Sequence, residues 1–588
     1  MFLGRPVSVW FGPEESPLFG SLHVPDGLAR GAILLCPPLG REYTNSHSTF
    51  GQLAIRLTEL GFAALRFDYR STGDSFDRAT DDSGGCGFVQ DVQFAVDFVR
   101  TMDVTHIGIV GMRLGANFAS VHCGCEPVDT LVLWDPCPTG RSFLREQRAL
   151  GMFYRARAAD ENADALDLPG FKMSSEMSRE IADLDLVAGQ PRSAEGGELA
   201  DKVLLLTRSG RVADRKLAES FDLPHVEHRE VTGQLELLDV APPNETVPAD
   251  ALATVTGWLD KVMPQGGFGI AAPANGEVRV RISPDGSSPV PGEAATLVRE
   301  RAVRLGPTGL FGIETESETT GSGPVCIFVS VSNEHRIGPG RMWVLLSRRL
   351  AANGFRCVRI DVNGFGDSPA RDGRPVSDVC SILAIDDILD TARAVSPEDP
   401  SNVVLFGLSS SAYNILEAAL ILAPRGICAL NPMLMFQPPE MDSGGAIDVR
   451  RRFCLPRTAL VAVARKQSRV RWFRHRFLVF SSRLLRPVRM VALRLRSVVE
   501  PFRNRPRERL EDLVEAGTEV LLISGPEEVL PFLAPGTRAV HRAQPDERLG
   551  IRYISTLEHA LLFSRDRDQV TGLILDYIFT RFPRSPER

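Results

Sequence analysis

A spaced set of residues occurs twice along the chain at a fixed offset, and nothing else in the sequence limits the fold as strongly. Arg56-Leu57, Gly61-Phe62, Arg66, Asp68 and Gly73-Asp74-Ser75 return 293 positions later as Arg349-Leu350, Gly354-Phe355, Arg359, Asp361 and Gly366-Asp367-Ser368. The correspondence extends to both sides. Phe11-Gly12-Pro13 and Leu18-Phe19-Gly20 are answered by Leu305-Gly306-Pro307 and Leu310-Phe311-Gly312, and Trp134-Asp135-Pro136 by Leu430-Asn431-Pro432. At 588 residues the chain is too long for one hydrophobic core and suits two domains of roughly 250–300 residues. The pattern places one domain at residues 1–262 and the other at 293–588. The Gly/Pro/Ser-rich stretch 263–292 reads as the linker between them.

Within each half, short apolar runs alternate with helical stretches in the same order. The predicted strands are 31–36, 63–67, 106–110, 130–134 and 202–207 in the first half. In the second they are 325–331, 357–360, 403–406, 427–430 and 519–523, followed by Arg552-Tyr553-Ile554. Continuously apolar strands separated by helices indicate an α/β fold, with a mostly parallel sheet covered on both faces. Two long insertions, 140–195 and about 436–510, read as helix-rich segments placed where a lid could cover the strand ends. Between Arg450 and Arg509 the second carries nineteen Arg or Lys against two acids. Apolar groups such as Leu460-Val461-Ala462-Val463 and Phe477-Leu478-Val479-Phe480 are interleaved with them, the pattern of basic amphipathic helices.

About forty residues after each repeated block comes a strand–turn–helix signal. In the second half it is Gly407-Leu408-Ser409-Ser410-Ser411, between the strand Val403-Val404-Leu405-Phe406 and a helix from Ala412. Gly-x-Ser-x-Gly in that setting is a nucleophile elbow, a strained turn that lifts the serine hydroxyl above the sheet. Ser411 departs from the pattern by replacing the last glycine. A serine nucleophile needs a base, and the base an orienting acid, after two later strands. Val520-Leu521-Leu522-Ile523 leads to Ser524-Gly525-Pro526-Glu527-Glu528, so Glu528 is the first candidate acid and Glu527 the reserve. Leu557-Glu558-His559 follows the last strand and offers His559 as general base. The Ser410 N–H, with one from Ser332 or Asn333, would form the oxyanion hole. His335 and Arg336 either line that pocket or pack the loop.

The first half lacks all three groups. Its elbow reads Gly111-Met112-Arg113-Leu114-Gly115. No carboxylate follows Val203-Leu204-Leu205-Leu206 at the matching spacing, and the expected histidine region reads Val231-Thr232-Gly233-Gln234. Arg113 stays charged and is no nucleophile. If exposed it would be a candidate anion-binding residue; if buried, a member of an ion pair.

These residues resemble the α/β-hydrolase superfamily twice over. Gly111–Ala116 and Leu133–Pro136 are similar to the elbow and strand end of exosortase-A-system-associated hydrolases. His335-Arg336-Ile337-Gly338-Pro339, Arg359 through Ser368 and the Ser409 elbow resemble the serine-aminopeptidase-like (S33-type) branch of hydrolases and acyltransferases. The resemblance implies two tandem α/β-hydrolase domains, each a mostly parallel sheet flanked by helices with a helical lid insertion. The second would be catalytic and the first degenerate. It fixes fold better than substrate, since the superfamily spans esterases, thioesterases, peptidases, acyltransferases and non-enzymes.

The leading expectation is therefore a serine hydrolase that opens an ester or thioester through an acyl-enzyme on Ser409. Acyl transfer to another acceptor, and a non-catalytic scaffold in a polysaccharide or natural-product assembly system, are the alternatives. Neither a cofactor nor a metal is expected; the ten cysteines have no metal-like spacing and read as buried free thiols. The basic insertion favours an acidic partner, either an acyl carrier protein or an anionic membrane surface. A nucleic-acid partner is not expected, because the net charge is −7 and no reading module is visible. The opening residues lack a basic-then-apolar leader and no apolar run is long enough to span a bilayer, so the expected location is cytoplasmic, with peripheral contact at the inner membrane face.

Overall fold

The computed structural model describes residues 6–77, 87–154, 165–188, 198–239, 245–267, 276–287, 294–319, 323–331, 334–370, 382–432, 506–526 and 547–583, with a few single residues besides. The chain packs as two compact units, Met1–Ser377 with Ala560–Arg588, and Asp378–His559.

The first unit holds a complete eight-stranded sheet. Its strands are β1 (Val7–Phe11), β2 (Leu18–His23), β3 (Ala32–Cys36), β4 (Ala63–Phe67), β5 (Ile107–Met112) and β6 (Val128–Trp134). A hairpin, β7 (Ala165–Leu168) with β8 (Phe171–Ser174), stands apart, and β9 (Ala200–Arg208) and β10 (Val226–Val231) complete the sheet. The order is β1-β2-β4-β3-β5-β6-β9-β10, with β1 and β2 antiparallel and every pairing from β4 to β10 parallel. All five strands predicted for this half are present. The alternation of side chains explains why. Leu34 and Cys36 of β3, Leu133 of β6 and Leu205 of β9 belong to the core on one face. Ile33 and Leu35, Val132 and Trp134, and Leu204 and Leu206 belong to the core on the other. A strand whose every residue is apolar is stable only when both faces are covered. Each fully buried aliphatic side chain contributes roughly 1.5–3 kcal/mol to that sandwich.

The insertion after β6 differs from the helix-rich reading. Helices Gly140–Tyr154 and Ser175–Asp183 flank the β7–β8 hairpin. The turn Pro169-Gly170 makes the hairpin: Gly170 sits at φ 78°, where a side chain is strained, and β8 alternates buried with exposed residues.

The first unit also carries β11 (Glu277–Ile282), β12 (Thr296–Leu305), β13 (Leu310–Ser317), β14 (Val325–Val329) and β15 (Cys357–Ile360), ordered β11-β12-β13-β15-β14. Strand β11 lies inside the stretch read as a linker. Alternating Val278, Val280 and Ile282 give it an apolar face that packs against β12. The second unit holds β16 (Val403–Leu408), β17 (Gly426–Leu430), β18 (Glu519–Ser524) and β19 (Leu549–Tyr553), all parallel, in that order. The order β13-β15-β14 reproduces β2-β4-β3, with the same antiparallel then parallel pairing. Likewise β16-β17-β18-β19 reproduces β5-β6-β9-β10.

The repeated block forms the loop after β4 and again after β15, with the same hydrogen bonds. Asp68 accepts the Asp74 N–H at 2.9 Å and Asp361 accepts the Asp367 N–H at 2.9 Å. The Ser75 hydroxyl donates to the Asp68 carbonyl at 2.6 Å and accepts the Phe19 N–H at 2.9 Å. Ser368 donates to the Asp361 carbonyl at 2.6 Å and accepts the Phe311 N–H at 2.8 Å. Gly73 and Gly366 sit at φ 50° and 53°; a Cβ there would fall 1.9 and 2.2 Å from the Asp68 and Asp361 carboxylates. Glycine is required at both because the aspartate folds back into the space a side chain would fill. Among the described residues, no helix is long and apolar enough to cross a membrane.

Candidate active site

Strand β16 ends at Leu408, and the helix Ser410–Leu422 begins two residues later. Ser409 between them adopts φ 56° and ψ −112°, a conformation most side chains avoid. The turn is held on three sides. The Ser409 N–H donates to the Leu430 carbonyl of β17 at 2.9 Å. A Cβ on Gly407 would lie 2.6 Å from the Ser411 backbone, so that position must be glycine. The Ser411 hydroxyl accepts the Leu408 N–H and donates to the Leu408 carbonyl, both at 2.9 Å. The departure of Ser411 from the glycine pattern thus supplies a buckle across the elbow.

The strain presents Ser409 Oγ to His559. The two are 2.9 Å apart, Oγ to Nε2, within hydrogen-bond reach for a nucleophile and its base. Ser409 is 9% exposed and His559 half-buried. Ser410 opens the helix, and N–H groups of a first turn have no intrahelical carbonyl to bond. An oxyanion donor needs an N–H of this kind, and Ser410 is the residue the sequence names for that role. Ser332 and Asn333, the other candidates, lie outside the described residues, as do Glu528, Glu527 and the core of the basic insertion.

Asn431, which the sequence marks only as part of the Leu430-Asn431-Pro432 repeat, ties the site together. It is fully buried, at φ 41°, and its N–H donates to the Ile523 carbonyl at 2.8 Å. Its side chain donates to the carbonyls of His559 at 2.9 Å and Glu558 at 3.3 Å, and accepts the Gly525 N–H at 2.9 Å. One amide therefore fastens the loop after β18 to the loop after β19. Gly525 allows the approach, since a Cβ there would meet the Leu557 carbonyl at 2.6 Å. A polar residue closing an apolar strand, with proline next, was the available signal.

The first half keeps the elbow without its hydroxyl. Arg113 adopts φ 54° and ψ −124°, and its N–H donates to the Trp134 carbonyl at 3.0 Å, as Ser409 does to Leu430. Gly111 and Gly115 are again obligatory: a Cβ would lie 2.5 Å from Ala116 Cα and 2.2 Å from the Cys36 carbonyl. The idea of an exposed anion-binding Arg113 is corrected here, because the side chain is 1% exposed and its surroundings are carboxylates. Its Nε lies 3.2 Å from both Glu42 oxygens, its Nη2 2.7 Å from Glu146 and its Nη1 3.8 Å from Asp135. Burial pushes the Glu42 carboxyl above its ordinary range while Arg113 pulls it back. Asp135, at the position of Asn431, is held by Arg208 at 2.8 Å. His335 and Arg336 pack the loop: the His335 ring stacks on His47 at 4.0 Å, and Arg336 donates to Asp361 at 2.9 Å.

Residues 335–571 match the model of the alpha/beta hydrolase family. Strand order, elbow and family match agree. This is an α/β-hydrolase fold. The chain is also similar in structure to a lidless α/β serine hydrolase of Xanthomonas campestris (14% identity, 45% of this chain, 99% of that one, TM-score 0.29). Two further similar structures are the ferulic acid-bound Est1E of Butyrivibrio proteoclasticus (18%, 43%, 97%, 0.33) and a monoglyceride lipase of Saccharomyces cerevisiae (14%, 45%, 97%, 0.33). No curated protein matches the sequence.

Proposed function

We propose that the chain is a serine hydrolase that cleaves an ester or thioester through an acyl-enzyme on Ser409, with a first half that performs no chemistry. The observation that carries this reading is the 2.9 Å contact between His559 Nε2 and a Ser409 Oγ held at positive φ on an elbow. Ser409 Oγ attacks the acyl carbon as its proton passes to His559 Nε2. The oxyanion is met by the Ser410 N–H. His559 returns the proton to the departing alcohol or thiol, leaving the acyl group on Ser409. Water then loses a proton to the same nitrogen, attacks the acyl carbon and frees the acid. Glu528, or Glu527 in reserve, holds the imidazole tautomer and offsets its charge. The arginine-rich stretch 450–509 suits an anionic presenter of the substrate, an acyl carrier domain or an anionic lipid surface.

The test is a fluorophosphonate probe with mass spectrometry, paired with hydrolysis of short acyl esters and thioesters. The wild type gains the probe mass on Ser409, and Ser409→Ala loses labelling together with at least about 10⁴-fold in kcat. Unchanged hydrolysis in folded Ser409→Ala would overturn the reading.

A further inference from the structure

The loops after β4 and β15 are closed by Asp68 and Asp361, so their own hydrogen bonds use neither the carboxylates of Asp74 and Asp367 nor the guanidinium groups of Arg66 and Arg359. Those four groups cross over. Arg66 bonds Asp367, and Arg359 bonds Asp74. Position i of one half meets position j of the other, and position j meets i, which is the signature of a two-fold interface. Arg359 and Asp74 are fully buried, and Arg66 and Asp367 nearly so. An apolar core built from both halves lies beside them: Trp10, Phe19 and Phe76 with Val280, Val298, Phe311 and Ile313. Arg336 sits at the centre. It reaches Asp74 at 2.7 Å, Asp361 at 2.9 Å and Asp367 at 2.9 Å, with its guanidinium over the equivalent rings Phe311 and Phe19 at 4.4 and 5.3 Å.

We propose that the repeated Arg–Asp–Gly-Asp-Ser block is a self-recognition surface, through which the two halves pair as the subunits of an isologous dimer would, each occupying the other's surface. The pairing is biased toward unlike halves. Arg341 donates to the Gly73 carbonyl at 2.9 Å and the Ser75 carbonyl at 2.5 Å, and Arg348 to the Asp74 carbonyl at 2.7 Å. The positions 293 residues earlier are Ser48 and Ile55, and the one matching Arg336 is Tyr43, which bonds Asp68 at 2.7 Å instead. Two first halves facing each other would lack all three arginines and confront Asp68 and Asp74 with their own copies. This role for the first half stands whether or not Ser409 is catalytic.

The test is a charge swap in the full chain, read by thermal unfolding. Arg66→Asp and Asp367→Arg each lower the unfolding temperature by about 3–6 °C, because each sets like charges against one another in a buried site. The double variant recovers at least half of the summed loss. A double variant as unstable as the two losses added would overturn the proposal. Should either single variant fail to fold, Arg66→Lys read by hydrogen exchange decides. Expected is a joint loss of protection at Phe19, Asp74, Phe311 and Asp367; loss in one loop alone, or in neither, overturns it.

Discussion

Replacing Asn431 by alanine tests whether the site depends on the clasp between its two loops. The side chain makes three hydrogen bonds from a fully buried position, two of them at 2.9 Å. Alanine leaves the Gly525 N–H and the carbonyls of Glu558 and His559 without that partner. An orphaned buried polar group costs about 1–3 kcal/mol, so losing the two short bonds costs the second unit about 2–5 kcal/mol. The effect on chemistry is separate, because His559 is fastened through its own carbonyl. A displacement of about 1 Å in a catalytic group lowers rate about 10²-fold. The expected result is a second-order rate of fluorophosphonate labelling at Ser409 reduced about 30–300-fold, with kcat falling and KM nearly unchanged. Asn431→Asp sharpens the test. It keeps size and can still accept from Gly525, but it turns a donor into an acceptor facing two carbonyls, so it should fall with alanine. Circular dichroism establishes that both variants are folded. Labelling of folded Asn431→Ala within about twofold of wild type would refute the reasoning and leave the Ser409–His559 pair untouched by it.

Three further outcomes follow from the geometry. Gly407→Ala drives a Cβ to 2.6 Å from the Ser411 backbone, so it should abolish Ser409 labelling, whereas Gly257→Ala, with open space at its Cβ, should leave labelling unchanged. Arg113→Met should destabilise by about 3–5 kcal/mol in denaturant melts, since it leaves the buried Glu42 and Asp135 carboxylates without that cation, and Arg113→Ser should gain no esterase activity. Three buried histidines should lower stability between pH 7 and pH 5. Burial pushes His23 and His47 down to about 3 and His335 well below its ordinary range. The unfolded chain therefore takes up protons below about pH 6.5 that the folded chain refuses. Asp68 and Asp361, pushed up to about 6 by burial, act in the opposite direction below that pH. Glu245, pushed up to about 7 by burial, acts with the two aspartates, so the histidine share is read by difference: His47→Gln should make stability fall less between pH 7 and pH 5 than it does in the wild type, in urea melts.

The fold was legible because its strands are buried on both faces. Runs such as Ile33-Leu34-Leu35-Cys36 and Val403-Val404-Leu405-Phe406 carry no polar residue to place in water, and all eleven predicted strands lie where expected, within a few residues. The β7–β8 hairpin was hidden inside a stretch whose flanks are helical, though Pro169-Gly170 marks its turn. Strand β11 was hidden by the turn residues around it, and only its alternation of Val278, Val280 and Ile282 betrays it. The approach of Ser409 and His559 was readable because each stands on the loop after a strand at a set place in the order. Asn431 was marked only by its place, a polar residue closing an apolar strand before proline, because its partners are backbone groups of Gly525, Glu558 and His559, which carry no sequence signal.

The repeat itself shows what sequence could not resolve. A constant offset says that two loops are alike, but not why Arg66 and Asp74 should recur together. Within either loop the pair has no common purpose: Asp68 closes the turn and Ser75 pins it. The purpose lies across the interface, where Arg66 needs Asp367 and Arg359 needs Asp74. A change at any one of the four removes a buried partner from the other half, so the block is constrained in both halves even though only one has a serine on its elbow. Arg113 fits the same logic. An elbow without a nucleophile retains its strained backbone, its glycines and its bond to the next strand, because these hold the sheet together. In place of a hydroxyl stands a cation that pairs with Glu42 and Asp135 in the interior of the first half and with the partly exposed Glu146. The absence of a nucleophile there does not relax the structure. It makes the arginine part of the packing that keeps this half fit to serve as a partner.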